Sequence, residues 1–142
     1  MPKRNFKMLA CCLGLLLTGC SAPFDMRIAS ASVKKFHEHF NQQEFSAIYA
    51  EADPKLRAAA TQEVLTSLLQ RVHDKLGNVT DATRTGFNVN YNFGGSTITL
   101  TYSTKFQSGD AQEQFIWLKS GEGLRLFNYD IKSPALDDSN VQ

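Results

Sequence analysis

Three histidines, four tyrosines, one tryptophan and scattered carboxylates are the side chains with which this 142-residue chain can do chemistry. His37 and His39 stand two apart in a helical stretch. At about 100° per residue they point to opposite sides of the helix, and His73 lies on another element, so no metal-ligand set is expected. Tyr49, Tyr102, Trp117 and Tyr129 are candidates to line a small-molecule pocket. An isomerase-type site would add a carboxylate base in an apolar cavity and a donor to stabilise an enolate. Asp130 follows Tyr129 on a strand and so faces the other way. Strand parity leaves no carboxylate on the aromatic face, although Glu51 and Asp53, near a helix end, can approach it. No Ser-His-Asp set, nucleotide-binding glycine loop or zinc-ligand spacing is present. No residue is therefore assigned as catalytic, no cofactor is expected, and the expectation is a non-enzymatic protein.

The elements that position these residues can be read from hydrophobic period. Ala29, Val33, Phe36 and Phe40 recur at spacings of four, three and four, one face of a helix over residues 29–41. A short helix is expected over 44–52, closed by Asp53-Pro54, with one further turn over 55–60. Leu65, Leu68, Leu69, Val72 and Leu76 form the strongest stripe, with Thr61 as its cap and Gly77 as its stop. The period then changes to two. Phe87, Val89, Tyr91 and Phe93 alternate with asparagines. Ile98, Leu100, Tyr102 and Phe106 alternate with threonines, Ser103 and Lys105. Two more strands come next, over 113–119 and 124–132, with turns at 94–95, 108–110 and 121–123. Helices before strands make an α+β domain, here helices packed on a four-stranded antiparallel meander. Ile116, Leu118, Leu124 and Leu126 suggest that both faces are partly covered at one end, or that a partner surface lies there. Asn88, Asn90, Thr97, Thr99 and Thr101 lie on the polar parity. They form either a solvated outer face or a docking surface for a protein or glycan.

The start of the chain has a different character. Lys3, Arg4 and Lys7 precede an apolar run from Met8 to Leu17, too short to span a bilayer and suited to an export signal. All three cysteines, Cys11, Cys12 and Cys20, lie within the first twenty residues, so the remainder has no thiol pair for a disulfide. The run ends in Leu17-Thr18-Gly19-Cys20, which closely resembles the lipobox of bacterial lipoproteins. That resemblance implies cleavage before Cys20, a covalent lipid on its sulfur and amine, and attachment to a membrane with the domain facing the periplasm. Several acyl chains at one point anchor a protein stably where one would not. Ser21 in place of aspartate implies, by the same resemblance, the outer membrane over the inner. The organisation expected is a signal peptide over residues 1–19, a lipidated cysteine and tether over 20–28, the domain over 29–134 and an acidic, frayed tail over 135–142. Removal of the leader takes the basic residues from 15 to 12 against 14 acids, so the mature chain lacks the basic excess of a nucleic-acid binder.

Helices ahead of a curved sheet resemble the cystatin-like cone of the nuclear transport factor 2-like superfamily, and small envelope lipoproteins within it. The resemblance spans Val33 to Ser133. It rests on Phe36, Phe45, Tyr49, Leu76-Gly77, Tyr102, Trp117 and Tyr129. It implies either a binding module with a periplasmic protein partner, of immunity or inhibitor type, or a carrier or isomerase-like enzyme that uses the interior of the cone. A fold does not decide between these.

Overall fold

The computed structural model describes residues 22–92, 95–121 and 123–137. The leader, Cys20 and residues 138–142 lie outside them. Four helices come first: α1 (Ala22–Asn41), α2 (Phe45–Glu51), α3 (Pro54–Ala59) and α4 (Gln62–Leu76). Four strands come after them: β1 (Val79–Asn92), β2 (Gly95–Phe106), β3 (Gly109–Ser120) and β4 (Gly123–Lys132). They form one antiparallel sheet in the order β1-β2-β3-β4, so the protein is α+β with a curved meander.

Curvature comes from breaks in the ladder. Pairing skips Thr80 and Thr85 in β1 and Phe127 in β4. An extra residue bends a strand and increases its twist. The Thr80 and Thr85 hydroxyls donate to the Lys105 and Thr101 carbonyls at the two β1 breaks, which keeps the bulged strand joined to β2.

The concave face is apolar by parity. Ile98, Leu100, Tyr102 and Phe106 of β2 pair with Trp117, Phe115, Glu113 and Gly109 of β3, and Leu126 and Tyr129 of β4 complete the layer. Val33, Phe36 and Phe40 of α1 and Leu65, Leu69, Val72 and Leu76 of α4 cover it. Leu124 and Leu126 therefore belong to this face and not to a second one, while Ile116 and Leu118 lie on the opposite parity, where Leu118 is also buried.

Helix α1 begins at Ala22, within the stretch expected to be a tether. The apolar stripe extends back to Met26, which packs against the core, and Asp25 in the first turn is ion-paired with Lys119 of β3 at 3.1 Å. Met26, three residues before Ala29, continues the stripe, whereas the ion pair depends on a residue distant in the chain that local periodicity does not display. At the other end of the chain, Pro134–Leu136 forms a 3-10 turn with Leu136 against the core, so the domain runs past the expected boundary at residue 134. The β2–β3 turn is at Gln107-Ser108, with Gly109 already in β3.

Two helix ends direct the chain, one into α2 and the other into β1. Gln43 adopts a positive φ of 57°, where glycine is usual. Its N–H bonds to the Phe40 carbonyl and that of Glu44 to the His39 carbonyl, which stops α1 and turns the chain straight into α2. Thr61 caps α4 by accepting from the Val64 N–H, and Gly77 ends it at φ 76°. A Cβ at Gly77 would stand 2.6 Å from the Gln107 side chain, whose oxygen accepts from the Asn78 N–H, so glycine is required there on two counts.

Candidate functional site

Glu113 lies on the concave parity of β3, two residues before Phe115, and is 1% exposed. This corrects the expectation that no carboxylate shares the aromatic face. Its carboxylate accepts from three side chains: His37 Nε2 at 2.7 Å, Thr104 Oγ1 at 2.5 Å and Tyr129 OH at 2.7 Å. His37 is accordingly buried. It reaches the sheet from α1, while Thr104 and Tyr129 come from β2 and β4, so one carboxylate ties α1 to three strands. A buried charge is tolerated only when donors surround it in this way. The oxygens of Glu113 are already occupied, so it is a clamp and not a free base.

Tyr129 feels this clamp. Burial, then the negative charge of Glu113 and its hydrogen bond to the phenol, hold the Tyr129 hydroxyl well above the ordinary value of 10.0. Above pH 10 an unfolded chain loses this proton while the folded chain keeps it. The folded state then binds more protons, so this contribution to stability is complete below pH 10 and is lost as pH rises past it. Urea unfolding at about pH 9 and about pH 11 should show a steeper alkaline loss in the parent than in Tyr129→Phe. Equal losses in the two chains would show that Tyr129 is not the residue responsible.

The four aromatic candidates separate in space. Tyr129 is consumed by the clamp. The Tyr49 hydroxyl donates to the Arg57 and Ala60 carbonyls and closes α3 onto α2. Tyr102 lies against Phe115 and borders a groove between α1 and β1. Of the four, only Trp117 lines a cavity that is about half closed off from solvent, more so than the groove beside Tyr102. This cavity has a volume of about 180 Å³ and lies between α1, α2 and the β3–β4 end of the sheet. Its wall is Phe36, Ile48, Trp117, Leu124 and Leu126, and its rim carries Ser32, Lys35, His39 and Glu51.

No protein-family model and no curated protein matches the chain.

Trp117 is 5% exposed, yet its indole N–H has no hydrogen-bond partner. A buried donor left unsatisfied costs about 1–3 kcal/mol, so this indole is held at a cost in the unliganded fold. At the rim, His39 Nδ1 meets the Glu44 carboxylate at 2.6 Å, a contact set by the sharp turn at Gln43. That carboxylate accepts, so Nδ1 carries the hydrogen; Nε2 is buried with no hydrogen-bond partner. Lys35 bridges to both oxygens of Glu51 at 2.7 and 2.8 Å and stands over the opening as an exposed ion pair. Glu51 thus approaches the pocket as expected. Asp53 does not: it caps α3 at the Lys55 N–H, and its own N–H binds the Leu126 carbonyl.

The remaining candidates are where parity places them. Asn88 pairs with Thr99 and Asn90 with Thr97, while Thr101 faces Gly86, all on the convex side away from the helices. His73 bonds to the Asn78 side chain at 2.8 Å. Among the described residues no cluster of three metal-ligating side chains occurs, and no helix is long and apolar enough to cross a membrane. Sequence reasoning missed Glu113 and the cavity rim. The first was within reach, because Glu113, Phe115 and Trp117 share one parity; the second depends on the α1–α2 turn, which no local pattern announces.

Proposed function

We propose that this protein is a lipid-anchored envelope lipoprotein whose domain is a non-enzymatic binding module, with the cavity beside Trp117 as its ligand site. The observation that carries the binding function is the apolar cavity walled by Trp117, whose buried indole N–H has no hydrogen-bond partner. A space of about 180 Å³ suits one ring with a small substituent, since an engineered cavity of about 150 Å³ accepts benzene. The ligand class is therefore a small apolar group bearing a hydrogen-bond acceptor, either free or at the end of a partner's side chain. Binding is favoured over catalysis because Glu113 is committed to three donors and Glu51 to Lys35.

Trp117 is the only tryptophan, so its indole N–H gives a single resonance in a ¹⁵N-correlated spectrum. Acetophenone should bind with a Kd of about millimolar, as expected for so small a ligand, and move that resonance downfield. Ethylbenzene should shift the Leu124 and Leu126 methyl signals without the downfield move. Absence of any shift at these residues with either compound would sink the assignment.

The anchor rests on Leu17-Thr18-Gly19-Cys20 together with the basic, apolar leader, and Ser21 favours the outer membrane. Labelled palmitate should enter the full chain in a bacterial host and be lost in Cys20→Ser. Label retained in that variant would defeat the anchor.

A further inference from the structure

Phe87 and Tyr91 are 65% and 66% exposed, although they share the helix-facing parity of β1 with Val89, which packs against the core. They lie on an edge strand, and α1 leaves this part of the sheet uncovered. Large exposed aromatics on an edge strand are a liability unless something covers them.

Where the chain enters the fold indicates what does. Asp25, in the first turn of α1, is ion-paired with Lys119 near the end of β3. Lys119 pairs with Leu124, and Tyr91 pairs with Ser96, the residue before the Thr97–Leu118 pair. Tyr91 and Lys119 thus occupy the same row of the sheet two strands apart, about 10 Å. Cys20 precedes Asp25 by five residues, at most about 18 Å of chain. The exposed aromatics are consequently at the end of the molecule where a lipid on Cys20 holds it. Charge agrees: Arg84 is exposed beside them, its guanidinium 5.9 Å from the Phe87 ring centre, Arg27 is exposed two residues after Asp25, and Asp25 is neutralised by Lys119.

We infer that the Phe87–Tyr91 edge of β1 rests on the bilayer surface, its aromatic rings at headgroup depth and Arg27 and Arg84 toward anionic phosphates. This rests on the lipoprotein assignment for the tether. Tyr91 favours the membrane interface because its ring is apolar and its hydroxyl polar, and Phe87 adds apolar surface beside it. The surface gives the anchored domain a fixed orientation, with the Leu76 end of α4, which is bonded to the β2–β3 turn, turned away from the membrane.

The mature chain beginning at Cys20 contains the whole described fold and a single thiol, so it can be coupled to maleimide lipid in phosphatidylethanolamine–phosphatidylglycerol vesicles. Tyr91→Trp and Val64→Trp, the latter on exposed α4, each add one indole at an exposed site. Lipids brominated in their acyl chains should quench about half or more of the emission added at position 91 and leave that added at position 64 unchanged. Equal quenching at the two positions, or none at 91, overturns the surface. So does a stable dimer of the uncoupled chain that Phe87→Ser/Tyr91→Ser abolishes, since a second copy would then be the occupant. Coupling through the thiol keeps the two ideas separable. Quenching without palmitate labelling in cells defeats the lipoprotein assignment alone, and labelling without quenching defeats the surface alone.

Discussion

Glu113→Ala is expected to destabilise the fold by about 3–5 kcal/mol, among the largest effects available to a single substitution here. The variant removes one carboxylate and strands three donors, His37 Nε2, Thr104 Oγ1 and Tyr129 OH, in a site that water does not reach freely. Each orphaned donor then bears its own desolvation penalty. For a domain of this size the loss corresponds to a fall in Tm of about 10–20 °C. Glu113→Gln keeps the shape and part of the hydrogen bonding, so its loss should be smaller. Thermal melts monitored by far-ultraviolet circular dichroism decide the matter: a Glu113→Ala chain melting within about 2 °C of the parent would show that the clamp contributes little. A double-mutant cycle with His37→Ala isolates the contact that joins α1 to the sheet, and strong coupling is expected because the two groups share one network.

Phe115→Ala should cost a similar amount, about 3–5 kcal/mol, through a different mechanism. Phe115 is wholly buried at the centre of the aromatic layer. Its ring centre lies 5.1 Å from that of Phe36, 5.2 Å from Tyr129 and 6.2 Å from Trp117, edge-on to the first and stacked on the last. Truncation opens a cavity that rigid strands on either side cannot close, and it forfeits ring–ring attractions of about 0.5–1.5 kcal/mol each. Phe87→Ala is the matched control, removing the same side chain from an exposed position, and should change stability by no more than about 0.5 kcal/mol. Comparable losses in the two variants would contradict the placement of Phe115 at the centre of the core. Because Phe115 adjoins the Glu113 network, the two large effects should not add in a double variant.

Much of the fold is legible in the residues because local rules and burial agree. The stripe from Leu65 to Leu76 lies between Thr61 and Gly77, and the cap and the stop act as their types suggest. Period two from Phe87 onward announces the meander, and its four strands run as ordered. The misses have a common cause, which is partnership across long stretches of chain. Glu113 looks like a surface carboxylate because its three donors come from residues 37, 104 and 129. Residues 22–28 look like a tether because the cation that fixes Asp25 is at position 119. Phe87 and Tyr91 have the pattern of core residues and the parity of core residues, but burial also requires a helix above them, and α1 crosses elsewhere. Of the pocket candidates, Trp117 alone reaches the cavity, because hydrogen bonding elsewhere occupies Tyr49 and Tyr129.

The contacts that dock α1 on the sheet join residues 76 and 94 positions apart. Such closures are slow, because the loop entropy must be overcome before the contact forms. A ribosome releases α1 first, and its partners on β3 emerge only near the end of synthesis. Until then the aromatic layer has no finished surface to receive it. The long-range clamp therefore acts as a timer: the helices cannot close over the aromatic layer until the last quarter of the chain is made.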